Sequence, residues 1–157
     1  MLQMIPNFAD MLAPDRVIDL QASEKEAVLE ELVDSLATSP RVRDRDELLR
    51  CILERERALS TGVGIGVALP HVKIASIDDF VLAVGRSFRG IDFQSIDGQP
   101  VHIVVMIGCH AKQAGEYMKV LSRLVRALKD EGFRKQLLNA RTGEKVAELL
   151  VAEAGKK

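Results

Sequence analysis

The sequence predicts an α/β (α+β) fold, a mixed β-sheet flanked by helices, in a single domain spanning residues 1–157. Three observations carry that expectation. Apolar residues recur at helical spacing in both the first and the last third of the chain. The stretch Val101 to Gly108 is almost continuously apolar, as in a strand covered on both faces. The order of helices, then strands, then helices has no internal repeat and no low-complexity linker, and that order suits a sheet with helices packed on it. A length of 157 residues fits one compact domain.

Arg16 to Leu20 alternates loosely and predicts a short strand. Ser23 and Glu26 have the spacing of a capping box, and Val28, Leu29, Leu32, Val33 and Leu36 follow on one helical face. Pro40 lies past that helix. A second helix is expected from near Asp44 to about Glu56, with Leu48, Leu49, Ile52 and Leu53 inward. Ser60 to His71 then reads STGVGIGVALPH, in which Gly62, Gly64 and Gly66 alternate with Val63, Ile65 and Val67. Each glycine would cost a helix about 1 kcal/mol, so the segment predicts a loop entering a strand, its backbone close to something. Phe80 to Phe88 predicts a strand, Gly90 to Pro100 is turn-rich, and Val101 to Gly108 is the apolar strand. From Ala114 to Lys129 the helical period returns, with Met118, Leu121, Leu124, Val125 and Leu128 as one stripe and Tyr117 on the same side. Two short helices, 131–138 and 142–152, complete the chain.

Composition narrows the function classes. A net charge of −1 removes the usual electrostatic footprint of a nucleic-acid binder. The hydrophobic fraction of 47% is ample for a core, and 29% charged residues is ordinary for a soluble surface. Cys51 and Cys109 read as small core hydrophobes without a disulfide, which suits a reducing compartment. The opening MLQMIPNFADML is interrupted by Pro6, Asn7 and Asp10, lacks a basic start and is not a signal peptide. No apolar run is long enough to span a bilayer. The expected location is therefore the cytoplasm, with no nucleic acid partner and no direct membrane insertion.

Of the three histidines, His71 has the most suggestive context. It follows Pro70 at the end of the glycine-patterned segment, where backbone amides can approach an anion. Ser60 and Thr61 lie just upstream with hydroxyl donors, and Arg55 offers a planar fork suited to phosphate oxygens. A neutral imidazole is a good nucleophile toward a phosphoryl group, and the resulting phosphoramidate is labile enough to hand the group on. The same residues admit a plainer account: Ser60 and Thr61 cap a turn, the glycines serve turns, and Arg55 is one solvated charge in ERER. His102 lies inside the apolar strand, and His110 lies in the loop after it. Other chemistries fit less well. No P-loop Gly-Lys-Ser/Thr follows the glycines, no G-x-S-x-G elbow exists, and the histidine and cysteine spacings are not those of a metal site. Asp92 and Asp97 flank a turn as loop formers rather than a paired acid site.

These residues resemble the IIA domains of the mannitol/fructose type in the phosphoenolpyruvate-dependent phosphotransferase system, a group that includes the nitrogen-regulatory IIA proteins. That family has an Arg-Glu pair, a Thr-Gly-rich stretch and an apolar triplet ending in Pro-His. Here these are Arg55-Glu56, Ser60-Thr61-Gly62 and Ala68-Leu69-Pro70-His71. GIDFQSIDGQPVHIVVMIG is similar to the family's next block and EYMKVLSRLVRAL to its following helix, so the resemblance runs from about Phe8 to Val151.

The resemblance implies the mixed sheet flanked by helices, and it implies roles. His71 would accept phosphate from the phosphohistidine of the small carrier HPr or a nitrogen-branch equivalent. It would pass the group to a cysteine on a IIB domain, or its phosphorylation state would act as a signal to a regulatory target. Arg55, Thr61 and Tyr117 would bind or stabilise the phosphoryl group, with no cofactor and no tightly bound metal. The chain departs from the family twice. Tyr117 stands where a second histidine is common, four residues before Leu121. It can donate to a phosphate oxygen but cannot titrate as an imidazole near neutral pH. Val72 follows the acceptor where glycine is usual.

Overall fold

The computed structural model describes residues 6–156. Residues 1–5, on which part of the signal-peptide reading falls, lie outside the described residues. The chain begins with two 3-10 turns, Phe8–Asp10 and Pro14–Arg16, and continues through β1 (Val17–Asp19), α1 (Lys25–Leu36) and α2 (Arg45–Ala58). Four strands follow before a long one: β2 (Gly62–Gly64), β3 (Val67–Ala68), β4 (His71–Lys73) and β5 (Val81–Ile91) lead to β6 (Val101–Cys109). Three helices close the chain, α3 (Ala114–Leu128), α4 (Glu131–Asn139) and α5 (Gly143–Ala154).

The six strands form one mixed sheet in the order β1-β5-β6-β3-β2, with β4 also on β6. The strand β6 is central because its side chains are apolar on both faces. Ile103, Val105 and Ile107 point into a core built with α3, α4 and α5, while Val104 and Met106 point into a second core built with α1 and α2. It pairs antiparallel with β5, with Leu82 opposite Ile107, and parallel with both β3 and β4, with Val67 opposite Ile103 and His71 opposite Ile107. Thus β3 and β4 are two pieces of one edge, interrupted at Leu69–Pro70. Pro70 has no N–H to give to a ladder, and its carbonyl accepts from Ile107 N at 2.9 Å.

The amphipathic assignments of α1 and α2 hold. Val28, Leu29, Leu32, Val33 and Leu36 are buried, as are Leu48 and Ile52, whereas Leu49 and Leu53 are half-buried. Asp44 caps α2, its carboxylate accepting from Glu47 N at 3.0 Å. The Ser23–Glu26 capping box does not form. Glu24 is the N-cap and has no side-chain cap bond, Glu26 is drawn to Arg57 at 3.0 Å, and Glu31 takes the free N–H groups of Gln21 and Ala22.

Three further differences bear on the site. The glycine-patterned segment is a hairpin, with β2 antiparallel to β3 and positive φ at Ile65 (56°) and Gly66 (77°) in its turn, the conformation a tight hairpin turn demands. The strand expected to end at Phe88 runs to Ile91 through a register shift after Arg86. The α3 stripe is rotated: Tyr117, Val120, Leu124, Ala127 and Leu128 are buried, while Met118 and Val125 are 61% and 40% exposed. Both stripes of α3 are apolar, and the sequence offers no means of ranking them. The outer one borders the cavity described next.

Candidate functional site

His71 opens β4 on the face toward α3. Its Nδ1 lies 3.0 Å from the Leu69 carbonyl. A carbonyl only accepts, so Nδ1 carries the proton and Nε2 presents a lone pair. That orientation depends on the interruption at Leu69–Pro70, which leaves the Leu69 oxygen outside the sheet ladder. Arg55, in the last turn of α2, places Nη2 at 3.2 Å from His71 Nε2 and donates to it. The imidazole pKa is lowered, first by burial and then by the charges of Arg55 and Lys73, against the raising effects of the Leu69 hydrogen bond and Glu56. The ring is therefore neutral at pH 7 and keeps its nucleophilic lone pair.

The Tyr117 ring lies 5.1 Å from the imidazole, tilted by 33°. Its hydroxyl is buried and has no hydrogen-bond partner among the described residues. Burial pushes the phenol up to about 12, with Arg55 opposing and Cys109 adding to the shift, so it keeps its proton as a donor. Thr61 is held by Glu56: the carboxylate accepts from Thr61 N at 2.8 Å and from Thr61 Oγ1 at 2.7 Å. It also pairs with Lys25 Nζ at 2.8 Å, with only 4% of the Glu56 side chain exposed.

Arg55, Thr61 and His71 line a cavity of about 470 Å³ whose other walls are chiefly apolar: Leu59, Val63, Leu69, Leu121 and Val125. The sequence-derived residues His71, Arg55 and Thr61 therefore share one cavity, and Tyr117 stands beside the His71 ring outside its lining. Other candidate groups are engaged elsewhere. The Ser60 hydroxyl donates to the Phe93 carbonyl and that of Thr61 to Glu56, so neither is a free donor. The glycines make their close approach to another loop: a Cβ on Gly62 would stand 2.2 Å from Ser95 Oγ, Gly64 faces Asp97, and the Ile65 N–H donates to the Asp97 carboxylate at 3.1 Å. His102 Nδ1 turns to the Ser87 carbonyl, and His110 Nδ1 accepts from Lys112 N within its own loop. Asp92 and Asp97 are loop formers, accepting from Gln94 N and Gln99 N. Cys109 is buried, Cys51 half-buried, and both are free thiols.

Sequence reasoning named Glu56 only as part of the Arg55-Glu56 pair, with no role, and missed Lys73 and the apolar rim. Glu56 continues the buried i, i+4 series of Leu48 and Ile52, a periodicity that marks it as inward despite its charge. Lys73 lies two residues past His71, which on a strand means the same face. Among the described residues no group of three or more His, Cys, Asp or Glu side chains is placed to hold a metal ion, and no helix is long and apolar enough to cross a membrane.

A neutral, oriented imidazole beside a guanidinium at an apolar mouth is suited to attack on a small anionic group. The chain is 38% identical over 133 residues to the fructose-specific EIIABC component of Bacillus subtilis, an alignment covering 85% of this chain and 21% of the relative, so the chain spans about a fifth of that protein's length. The fructose-specific EIIA component of Haloferax volcanii is 36% identical over 141 residues, covering 88% of this chain and 92% of the relative. The crystal structure of the nitrogen regulatory protein IIA-Ntr from Neisseria meningitidis superposes with a TM-score of 0.83 at 26% identity, over 90% of this chain and 97% of that one. Residues 11–153 match the family model described as "Phosphoenolpyruvate-dependent sugar phosphotransferase system, EIIA 2", and the chain, carrying this site on this fold, belongs to that family.

Proposed function

We propose that the chain is a single-domain phosphocarrier, a protein-histidine phosphotransferase component acting in the cytoplasm through His71. The observation that carries the reading is the neutral His71 ring, its proton held toward Leu69 and its Nε2 beside Arg55. The Nε2 lone pair attacks the phosphorus of a phosphohistidine on an HPr-type carrier, or its nitrogen-branch equivalent. The donor's nitrogen–phosphorus bond breaks as the new one forms, and the Nδ1 proton stays on His71. Arg55 turns from the nitrogen to the phosphoryl oxygens, Tyr117 donates its free hydroxyl, and Thr61, anchored by Glu56, shapes the wall beside them. Catalysis comes from positioning and charge stabilisation. The group then leaves to a cysteine of a IIB domain, or its presence alters binding to a regulatory target. Incubation with phosphoenolpyruvate, Enzyme I and HPr is expected to label the wild type and not His71→Ala; equal labelling of both would refute the assignment.

A regulatory role has its own support in Tyr117, which stands in place of a titratable second imidazole, and in the likeness to a nitrogen regulatory protein. Efficient passage of label from the phosphorylated protein to a IIB domain would favour transport. Retention of label there, with phosphorylation-dependent capture of a partner, would favour regulation.

A further inference from the structure

Lys73 is the last residue of β4, and the pleat places it on the same face as His71. Its Nζ lies 4.2 Å from the centroid of the Tyr117 ring, and that ring lies 5.1 Å from the imidazole of His71. Tyr117 thus contacts an ammonium and the nucleophile at once. Lys73 is half-buried, and among the described residues no carboxylate lies within 4.0 Å of its ammonium, unlike Lys25, which is paired with Glu56. A partly desolvated cation without an acid is costly, and the aromatic face offsets part of that cost. The contact also acts on the ring. A cation against the π-face draws electron density from the phenol and makes its O–H a stronger donor. That hydroxyl is itself buried and without a partner. A dianion attached to His71 would satisfy that hydroxyl.

Building on the reading of His71 as phosphoryl acceptor, we propose that Lys73 is a positioning residue for the phosphoryl group. Its ammonium fixes the Tyr117 ring beside His71 and strengthens the hydroxyl bond to a phosphoryl oxygen. Lys73 acts through Tyr117 and forms no bond to the transferred group.

The chain has one tyrosine and no tryptophan, so tyrosine absorbance and fluorescence report Tyr117 alone. Wild type, Lys73→Met, Lys73→Gln, Lys73→Arg, Tyr117→Phe and the double variant Lys73→Met/Tyr117→Phe are each equilibrated with phosphorylated HPr, with far-UV circular dichroism confirming the fold. The equilibrium constant for phosphorylation is expected to fall roughly three- to tenfold in Lys73→Met and Lys73→Gln and to recover in Lys73→Arg. The spectral change of Tyr117 on phosphorylation should shrink in the same two variants. In the Tyr117→Phe background, removing Lys73 should have a clearly smaller effect. An unchanged equilibrium constant in both neutral variants would overturn the proposal, as would an equal loss in both backgrounds, which would mean that the lysine acts by bulk charge alone. Failure of the wild type to take up label would refute the phosphocarrier reading itself, a result distinct from any difference among variants.

Discussion

Glu56 joins three parts of the molecule, and replacing it tests the account of the site's framework. Its carboxylate accepts from Lys25 of α1, from the Thr61 backbone and from the Thr61 hydroxyl, at 2.7 to 2.8 Å. The pair is well shielded, with side-chain exposures of 15% for Lys25 and 4% for Glu56. The substitution Glu56→Gln keeps the shape and one acceptor oxygen but turns the other into an N–H donor. Lys25 and the Thr61 backbone donate to one oxygen and the Thr61 hydroxyl to the other; that hydroxyl can also accept, so the amide turns its N–H toward it and the loss is chiefly that of the charge opposite Lys25. Losing the charge opposite a shielded ammonium should cost about 2–4 kcal/mol of folding stability. Glu56→Ala, which leaves Lys25 without its acid, should cost about 3–5 kcal/mol. Urea denaturation followed by circular dichroism measures both. Replacing the pair together, as Lys25→Met/Glu56→Met, should recover much of the loss, because an apolar pair of similar volume avoids the desolvation of two charges. A loss below about 1 kcal/mol for Glu56→Gln is what a solvated surface pair gives, and it would refute the inference that this carboxylate pins the Thr61 loop to the helices.

Two further expectations follow from the same geometry. In an NMR titration the His71 ring should have its midpoint below the ordinary value of 6.5, because burial and the nearby Arg55 and Lys73 charges disfavour the imidazolium. The folded state then binds this proton more weakly than the unfolded chain, so the contribution of His71 to stability is present above pH 6.5 and is lost as pH falls toward the folded midpoint. A midpoint at or above 6.5 would contradict that environment. Gly62→Ala should lower the melting temperature, since the added methyl would lie 2.2 Å from Ser95 Oγ and 3.1 Å from Ser95 Cα. The cost of such overpacking is about 1–3 kcal/mol. Ser95→Gly in the same chain should restore most of it, and an unchanged melting temperature in Gly62→Ala would show that the two loops do not pack as described.

The parts of the fold that rest on long periodic patterns were legible. The apolar run from Val101 read as a doubly covered strand because both faces of β6 do meet helices, and α1 and α2 followed from one repeated face each. Of the short strands, β1 was legible within Arg16 to Leu20, whereas β3 was not, for it has two residues and is held as a strand by its neighbours β2 and β6. The register of α3 was ambiguous for a different reason: a helix that both closes a core and borders a cavity carries two apolar stripes. At the site, His71, Arg55, Thr61 and Tyr117 were found from sequence as candidates, since a motif records which residue types occur together. The hydrogen-bond economy was hidden. Nothing in ERER distinguishes Arg55, exposed and donating to an imidazole, from Glu56, buried and holding Thr61. Only the helix period does, carrying the buried series of Leu48 and Ile52 on to Glu56 and leaving Arg55 outside it.

The interruption of the sheet edge at Leu69–Pro70 has a chemical consequence. An imidazole has two nitrogens, and a phosphoryl group on one or the other gives regioisomers that differ in lifetime and in the direction the group faces. Here the backbone orients the ring by itself. With Nδ1 turned to the Leu69 carbonyl at 3.0 Å and Nε2 beside Arg55, a phosphoryl group taken up as proposed would form the Nε2 isomer alone. Under that proposal, regiochemistry at this histidine would follow from a break in the sheet edge rather than from any partner.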